Sequence, residues 1–168
     1  MSEESIRFVP VITDEEIEKT AALANVIWHD CYAHILKPEQ IDYMCDNIQS
    51  AAALTDQIRG QGYEYYVILL EDEAAGYMGV QAKDNKLLLS KLYILQDFRG
   101  KGVGKKSMEY VEQLGHDKAC EGVWLTVNRF NERAIMIYRK TGYHFVREQV
   151  EDIGGGFVMD DFVFEKPL

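Results

Sequence analysis

The chain has 168 residues, with 18 Lys and Arg against 28 Asp and Glu for a formal charge of −10. That length fits one domain, residues 1–168, able to bury roughly two thirds of the surface its unfolded form exposes, so its core needs neither metal nor disulfide. The acidic balance disfavours nonspecific nucleic-acid binding, which depends on releasing counterions from phosphates, and it favours a cationic partner.

The three cysteines, Cys31, Cys45 and Cys120, are scattered and odd in number, with no C-x-x-C spacing. They read as reduced core thiols, with no disulfide framework and no metal site. The start, Met1-Ser2-Glu3-Glu4-Ser5, is acidic and lacks the basic and apolar regions of a leader, and no apolar run approaches a membrane span. The expectation is a soluble cytoplasmic protein without membrane contact.

Taken in order, Ile6 to Val11 alternates weakly and predicts a short first strand. Thr13-Asp14-Glu15-Glu16 is a capping box that should open a helix, with Ile17, Ala21, Ala24, Trp28 and Cys31 on its apolar face. Pro38 suits the first turn of a second helix carrying Ile41, Met44, Cys45 and Ile48, and Ser50 caps a third, closed by Gly60 and Gly62. From Tyr63 the period changes. Tyr65 to Leu70, Ala75 to Ala82 and Leu87 to Leu95 read as an antiparallel meander with short turns. A helix follows with Val103, Met108, Val111 and Leu114 on one side, and Gly115 should end it. Gly122 to Val127 is a buried strand, joined to the preceding one by a βαβ crossover and hence parallel to it. Asn131 to Thr141 is a helix closed by Gly142, and Tyr143 to Val150 and Phe157 to Glu165 form a closing hairpin around Gly154-Gly155-Gly156.

Between the meander and its crossover helix lies Ser90 to Ser107, an apolar strand, a short turn centred on Asp97, and a glycine-spaced basic loop. Arg99, Lys101, Lys105 and Lys106 place four cations there with no acid among them, the reverse of the overall charge. Such a loop opening into a helix receives anions through backbone N–H groups. It is not a Walker A loop, because three residues rather than four separate Gly100 from Gly104-Lys105. Nor is it a dinucleotide fingerprint, because Gly100, Gly102 and Gly104 give G-x-G-x-G where G-x-G-x-x-G is required. Missing Cβ atoms at the three glycines let the backbone approach a pyrophosphate.

Arg99-Gly100-Lys101-Gly102-Val103-Gly104 fits the Q/R-x-x-G-x-G/A motif of the GCN5-related N-acetyltransferase (GNAT) family at every specified position. The preceding strand ending L-Y-I, the strand W-L-T-V-N, the helix N-E-R-A-I-M-I-Y-R-K-T-G-Y and the final hairpin resemble the same family, over roughly residues 63–168. The resemblance implies an α/β (α+β) GNAT fold: a mixed, mostly antiparallel sheet of about six to seven strands, flanked by helices, around a central βαβ unit that binds acetyl-CoA. It implies an acetyl-CoA-dependent N-acetyltransferase with no metal. It carries over Leu92, Tyr93 and Ile94 as main-chain contacts to the pantetheine arm, and Arg99, Gly100, Lys101, Gly102, Val103, Gly104 and Lys105 as the pyrophosphate site. Asn131 is both a helix N-cap and, by resemblance, a cofactor contact. Tyr138 is the matching candidate for the general acid that protonates the leaving thiolate, and also a cofactor contact. Asn128 is a weaker candidate for the site wall, with a turn role as its alternative.

No general base is legible. Some members of the family carry a glutamate on the strand before the loop, whereas Leu87-Leu88-Leu89-Ser90-Lys91-Leu92 has no carboxylate. The four histidines show no metal spacing. Trp28, Tyr32, Tyr43, Tyr63 and Tyr65 are able to wall an aliphatic amine, though core packing explains each equally well. Asp160 and Asp161, beside the glycine hairpin, loosely resemble bacterial polyamine acetyltransferases, with a solvated strand edge as their alternative reading. The expected acceptor is a small cationic amine of the spermidine type. The alternatives are a protein or peptide amine, or a noncatalytic acyl-CoA-binding regulator. Oligomeric state is not legible in the sequence; the family often dimerises, so the resemblance leaves a homodimer open.

Overall fold

The computed structural model describes residues 5–168, and the first four residues of the acidic start lie outside the described residues. Strand β1 (Ile6–Pro10) leads into α1 (Asp14–Cys31) through Thr13. The Thr13 hydroxyl accepts the N–H of Glu16 at 3.2 Å, and the Glu16 carboxylate accepts the N–H of Thr13 at 2.9 Å. This reciprocal cap satisfies two donors that a helix start otherwise leaves open. Helix α1 buries Ile17, Thr20, Ala24, Ile27 and Trp28, a stripe at steps of three and four residues along one face. Helix α2 (Pro38–Asn47) begins on the expected proline, and α3 (Ala51–Gly60) is capped by Ser50, whose Oγ accepts the N–H of Ala53.

Strands β2 (Tyr63–Leu70), β3 (Glu73–Lys83) and β4 (Lys86–Ile94) form the meander. Its two tight turns hold Glu71-Asp72 and Asp84-Asn85 at positive φ, the hairpin geometry whose twist matches that of the strands. A 3-10 turn, Gln96–Phe98, precedes helix α4 (Val103–Asp117), strand β5 (Gly122–Asn128), helix α5 (Glu132–Lys140) and the long hairpin of β6 (His144–Gly154) and β7 (Phe157–Pro167). The seven strands form one sheet in the order β1-β2-β3-β4-β5-β7-β6. Among the described residues only β4 and β5 pair in parallel, as the crossover through α4 requires. Among the described residues no helix is long and apolar enough to cross a membrane.

Each face of the sheet carries a core. Val103, Met108 and Val111 of α4 pack on Ile68, Met78, Val80, Leu87, Leu125 and Phe164, with Ala134, Ile135 and Tyr138 of α5 at the margin. Burying each of the large side chains contributes roughly 1.5–3 kcal/mol. Helices α1 to α3 cover the opposite face over Tyr65, Tyr77 and Tyr93. Within that second core a polar chain is fully satisfied. Trp28 Nε1 donates to the Tyr77 hydroxyl at 2.7 Å, which donates to Gln49 Oε1 at 2.7 Å. Gln49 Nε2 then donates to the Tyr65 hydroxyl, which donates to Gln57 Oε1.

The expected stop at Gly115 is not where α4 ends, because the helix runs on to Asp117. Gly115 is buried, and a Cβ there would lie 2.5 Å from the Leu168 side chain. The glycine serves close approach of the chain's last residue rather than helix termination.

Candidate active site

The site begins where the parallel pair comes apart. The ladder between β4 and β5 runs from Lys86 opposite Gly122 to Leu89 opposite Leu125 and stops there. At the same point β4 bulges against β3: Val80 faces Leu89 and Gly79 faces Lys91, so Ser90 has no partner across the ladder. One extra residue bends a strand and changes which face its side chains take. Leu87 and Leu89 before the bulge, and Leu92 and Ile94 after it, all point into the α4 core, whereas Tyr93 joins the core under α1 to α3. The facing edges of Lys91–Ile94 and Thr126–Asn128 are left unpaired with each other, and a cleft of about 1360 Å³ opens around them. Leu92, Tyr93 and Ile94 all line this cleft.

At one end of this cleft lies the glycine loop. Gly100 and Gly102 sit at φ of +78° and +82°, a left-handed conformation that suits glycine, and Gly102 is the N-cap of α4 with no side chain capping it. The helical ladder begins with Lys106 N–H bonding Gly102 C=O at 3.1 Å, so the N–H groups of Val103, Gly104 and Lys105 point outward without an acceptor among the described residues. A Cβ on Gly100, Gly102 or Gly104 would meet nothing within 4 Å. The cradle therefore fits a pyrophosphate, with the α4 macrodipole and the exposed Lys101 and Lys105 adding positive charge. Val103 contributes only its N–H, since its side chain is buried in the core. Lys106 instead pairs with Glu109 at 3.6 Å. Arg99 turns inward, where its Nε donates to the C=O of Ile94 at 3.2 Å and its Nη2 to Cys31 Sγ at 3.4 Å. This tethers the loop to the end of β4 and to the last residue of α1.

Helix α5 forms another wall. Asn131 caps it, its Oδ1 accepting the N–H of Ala134 at 3.3 Å, which leaves its amide nitrogen available to the cleft that it lines. Tyr138, two turns further on, also lines the cleft and packs near Tyr143, with ring centroids 5.9 Å apart. Its hydroxyl has no hydrogen-bond partner among the described residues, and burial pushes its pKa up to about 12, so it holds its proton at neutral pH. Asn128 is buried at the end of β5, lines the cleft, and accepts the Phe130 N–H at 2.9 Å to shape the turn into α5.

The opposite end of the cleft has a different chemistry. Adjacent residues of β7 face opposite sides of the sheet, so the two aspartates separate. Asp160 pairs with Arg129 at 2.8 Å. Asp161 sits beside Asn128 on β5 and Gln149 on β6, is only 4% exposed, and leaves Oδ1 without a partner. It is not a solvated edge. Burial, with Glu151 and Asp160 nearby, pushes its pKa up to about 6 against the opposing pull of Lys91. Lys91, placed on this side by the bulge, donates to Ser90 Oγ at 2.7 Å, and burial pushes its pKa down to about 8. Trp28, Tyr32 and Tyr63 line the cleft here, and the Tyr32 and Tyr93 hydroxyls bond each other at 2.8 Å. Tyr65 is enclosed in the core, and Tyr43 lies over the glycine hairpin, donating to the Ile153 C=O. Sequence reasoning missed Lys91, Gln149 and Glu151, whose only signal was polarity on otherwise strand-like segments.

A mixed sheet with splayed parallel strands, a glycine loop at a helix start and a tyrosine lining the same cleft suit the transfer of an acyl group from a phosphate-bearing thioester. Residues 22–143 match the Acetyltransferase (GNAT) family, and the chain belongs to that family. It is similar to the spermidine N(1)-acetyltransferase of Thermoplasma acidophilum, 25% identical over 90% of this chain and 91% of that one. It shares the same 25% identity, over a shorter 81% of each chain, with the peptidyl-lysine N-acetyltransferase YjaB of Salmonella typhimurium. Among solved structures, the PaiA N-acetyltransferase of Thermoplasma acidophilum in complex with coenzyme A superposes over the full length of both chains with a TM-score of 0.77 and 25% identity. The protein is accordingly an acetyl-CoA-dependent acetyltransferase, and the noncatalytic alternative is set aside.

Proposed function

We propose that the protein transfers the acetyl group of acetyl-CoA to the primary amine of a small cationic acceptor such as a polyamine. The observation that carries this reading is the polarity of the cleft. One end offers free N–H groups and cations to a pyrophosphate, while the other offers the carboxylates of Asp161 and Glu151 against a single lysine, Lys91, whose charge burial has already weakened. An ammonium is attracted to the second end and an anion to the first. The likeness to a spermidine acetyltransferase supports the same acceptor class.

When bound, acetyl-CoA supplies an activated carbonyl and a thiolate leaving group. In this reading the backbone of Gly100 to Lys105 holds the pyrophosphate, and the edge of Leu92 to Ile94 with the Asn131 amide aligns the pantetheine arm. Tyr138 donates its phenolic proton to the departing sulfur as the amine attacks directly. A proton donor is useful here because a thiolate leaving into a desolvated cleft is poorly stabilised.

The test is an acceptor screen monitoring release of free CoA, with polyamines, monoamines, amino acids and lysine or N-terminal peptides as arms. Turnover with di- and polyamines at least tenfold above the peptide arms is expected. Turnover confined to the peptides would replace the small-amine reading by peptide acetylation, and no turnover in any arm would defeat both.

A further inference from the structure

We infer that Asp161 is the general base that deprotonates the acceptor amine, with Lys91 as the positioning residue that keeps this carboxylate ionised. The inference rests on the amine-acetylation reading and deepens it by naming the base that β4 lacks.

Three geometric observations point to Asp161. Beyond Leu89 the β4–β5 ladder is open, and Asp161 lies one strand from that opening, opposite Asn128, the last residue of β5. The residue is nine-tenths or more buried yet lines the cleft, and Oδ1 lacks a partner among the described residues. An unsatisfied buried carboxylate oxygen is costly, and this one belongs to a residue that lines the cleft, where a ligand or reacting group can meet it. Tyr138 stands on a different wall, on α5, so acid and base approach a reacting centre from separate elements.

The charged and titratable groups around Asp161 are Lys91 on β4, Glu151 on β6, Asp160 on its own strand, and Tyr32, the residue that ends α1, which feels its charge, while β5 sets the uncharged Asn128 beside it. Glu151 and Asp160 disfavour ionisation, and Lys91 is the group that favours it. A carboxyl that titrates near 6 is ionised at neutral pH yet basic enough to take a proton. Glu151, by contrast, is exposed, which suits it to attracting an ammonium rather than to proton transfer at the reacting atom.

In the step itself an N–H bond of the acceptor ammonium breaks and an O–H bond forms on Asp161. The freed lone pair forms the C–N bond to the thioester carbonyl, and on collapse the C–S bond breaks with its electron pair leaving on sulfur. Tyr138 supplies the sulfur's proton and is restored by the second proton shed from nitrogen. Asp161 returns its proton to solvent, so one proton is released per acetyl group transferred.

Three variants, Asp161→Asn, Asp161→Glu and Lys91→Met, test this by kcat and kcat/KM profiles over pH 5–9, with CoA binding by calorimetry as a control on the fold. The wild type should show an acidic limb. Asp161→Asn should lose roughly 10²- to 10⁴-fold in kcat and lose the limb while binding CoA as before. Asp161→Glu should recover part of the rate. Lys91→Met should keep the limb but move it up by about one unit, as loss of a neighbouring cation requires. A readout independent of turnover is the carboxyl carbon-13 shift of Asp161 in the free protein, whose titration should move up in Lys91→Met. An Asp161→Asn variant that only raises KM, or a limb abolished by Lys91→Met instead, would overturn the assignment. A wild type that acetylates no amine would defeat the parent reading, an outcome distinct from either.

Discussion

Substitutions at Gly104 separate the fold from the function of the loop, because the two respond with opposite sign. Gly104 is the second residue of α4, at an ordinary negative φ, and a Cβ there meets nothing within 4 Å. A side chain therefore fits without strain. Glycine in a helix is about 0.5–1 kcal/mol less stable than alanine, and leucine is nearly as good as alanine. For a chain of this length Gly104→Ala should raise Tm by about 1–4 °C, and Gly104→Leu by nearly as much. The space the new side chain enters is where a pyrophosphate would meet the N–H groups of α4. A methyl group is compatible with the G/A choice of the family motif, so Gly104→Ala should leave CoA affinity nearly intact. The isobutyl group of Gly104→Leu fills the cradle and should weaken binding at least about tenfold, or 1.4 kcal/mol. Thermal unfolding and calorimetric titration with CoA measure the two effects on the same samples. A leucine variant that is more stable and binds CoA as the wild type does would refute the assignment of this loop to the pyrophosphate.

The remaining expectations concern the general acid and the second core. Tyr138→Phe should lower kcat about 10²- to 10³-fold, equivalent to 2.7–4.1 kcal/mol of transition-state stabilisation, while Tm stays within a degree or two because the lost hydroxyl has no partner; an unchanged rate would remove Tyr138 from the mechanism. Gln49→Leu strips the acceptor from Tyr77 and the donor from Tyr65 at once, inside a core where both tyrosines are buried. At about 1–3 kcal/mol for each buried group left unsatisfied, denaturant unfolding should show a loss of roughly 2–6 kcal/mol.

Much of this architecture could be read along the chain because local chemistry and tertiary structure agree. The Thr13–Glu16 box, Pro38, Ser50 and Asn131 each act at the helix starts they mark, and the loop from Arg99 to Gly104 lies at the mouth of the cleft. The features that were not legible depend on a neighbour distant in sequence. Gly115 looks like a helix stop until Leu168 is seen lying against it. The bulge at Ser90 arises from the register between β3 and β4, and nothing in Leu88 to Leu92 announces it, yet it puts Lys91 into the cleft. Asp160 and Asp161 are chemically identical neighbours in sequence. Only the pairing of β7 with β5 and β6 shows that one meets Arg129 and the other an enclosed, partnerless site.

That enclosed carboxylate carries a stability signature independent of any substrate. Its pKa rises from an ordinary 3.8 to about 6 on folding, so the native state holds the proton more tightly than the unfolded chain does. The sign follows by linkage: between about pH 4 and 6 the native state has more protons bound, and stability falls as pH rises through that window. Above pH 6 both states are ionised and the folded protein bears the full penalty, roughly 2–3 kcal/mol at 1.36 kcal/mol per unit. Asp161→Asn removes the ionisation while keeping the side chain's shape. The variant should therefore be more stable than the wild type at pH 7, by up to that amount, and match it near pH 4. Denaturant titrations at the two pH values measure the difference. A site that destabilises the fold by ionising, and gains stability when its charge is deleted, is one retained for its chemistry. If Asp161→Asn is less stable than the wild type at pH 7, the carboxylate is a structural anchor and the base must be sought elsewhere.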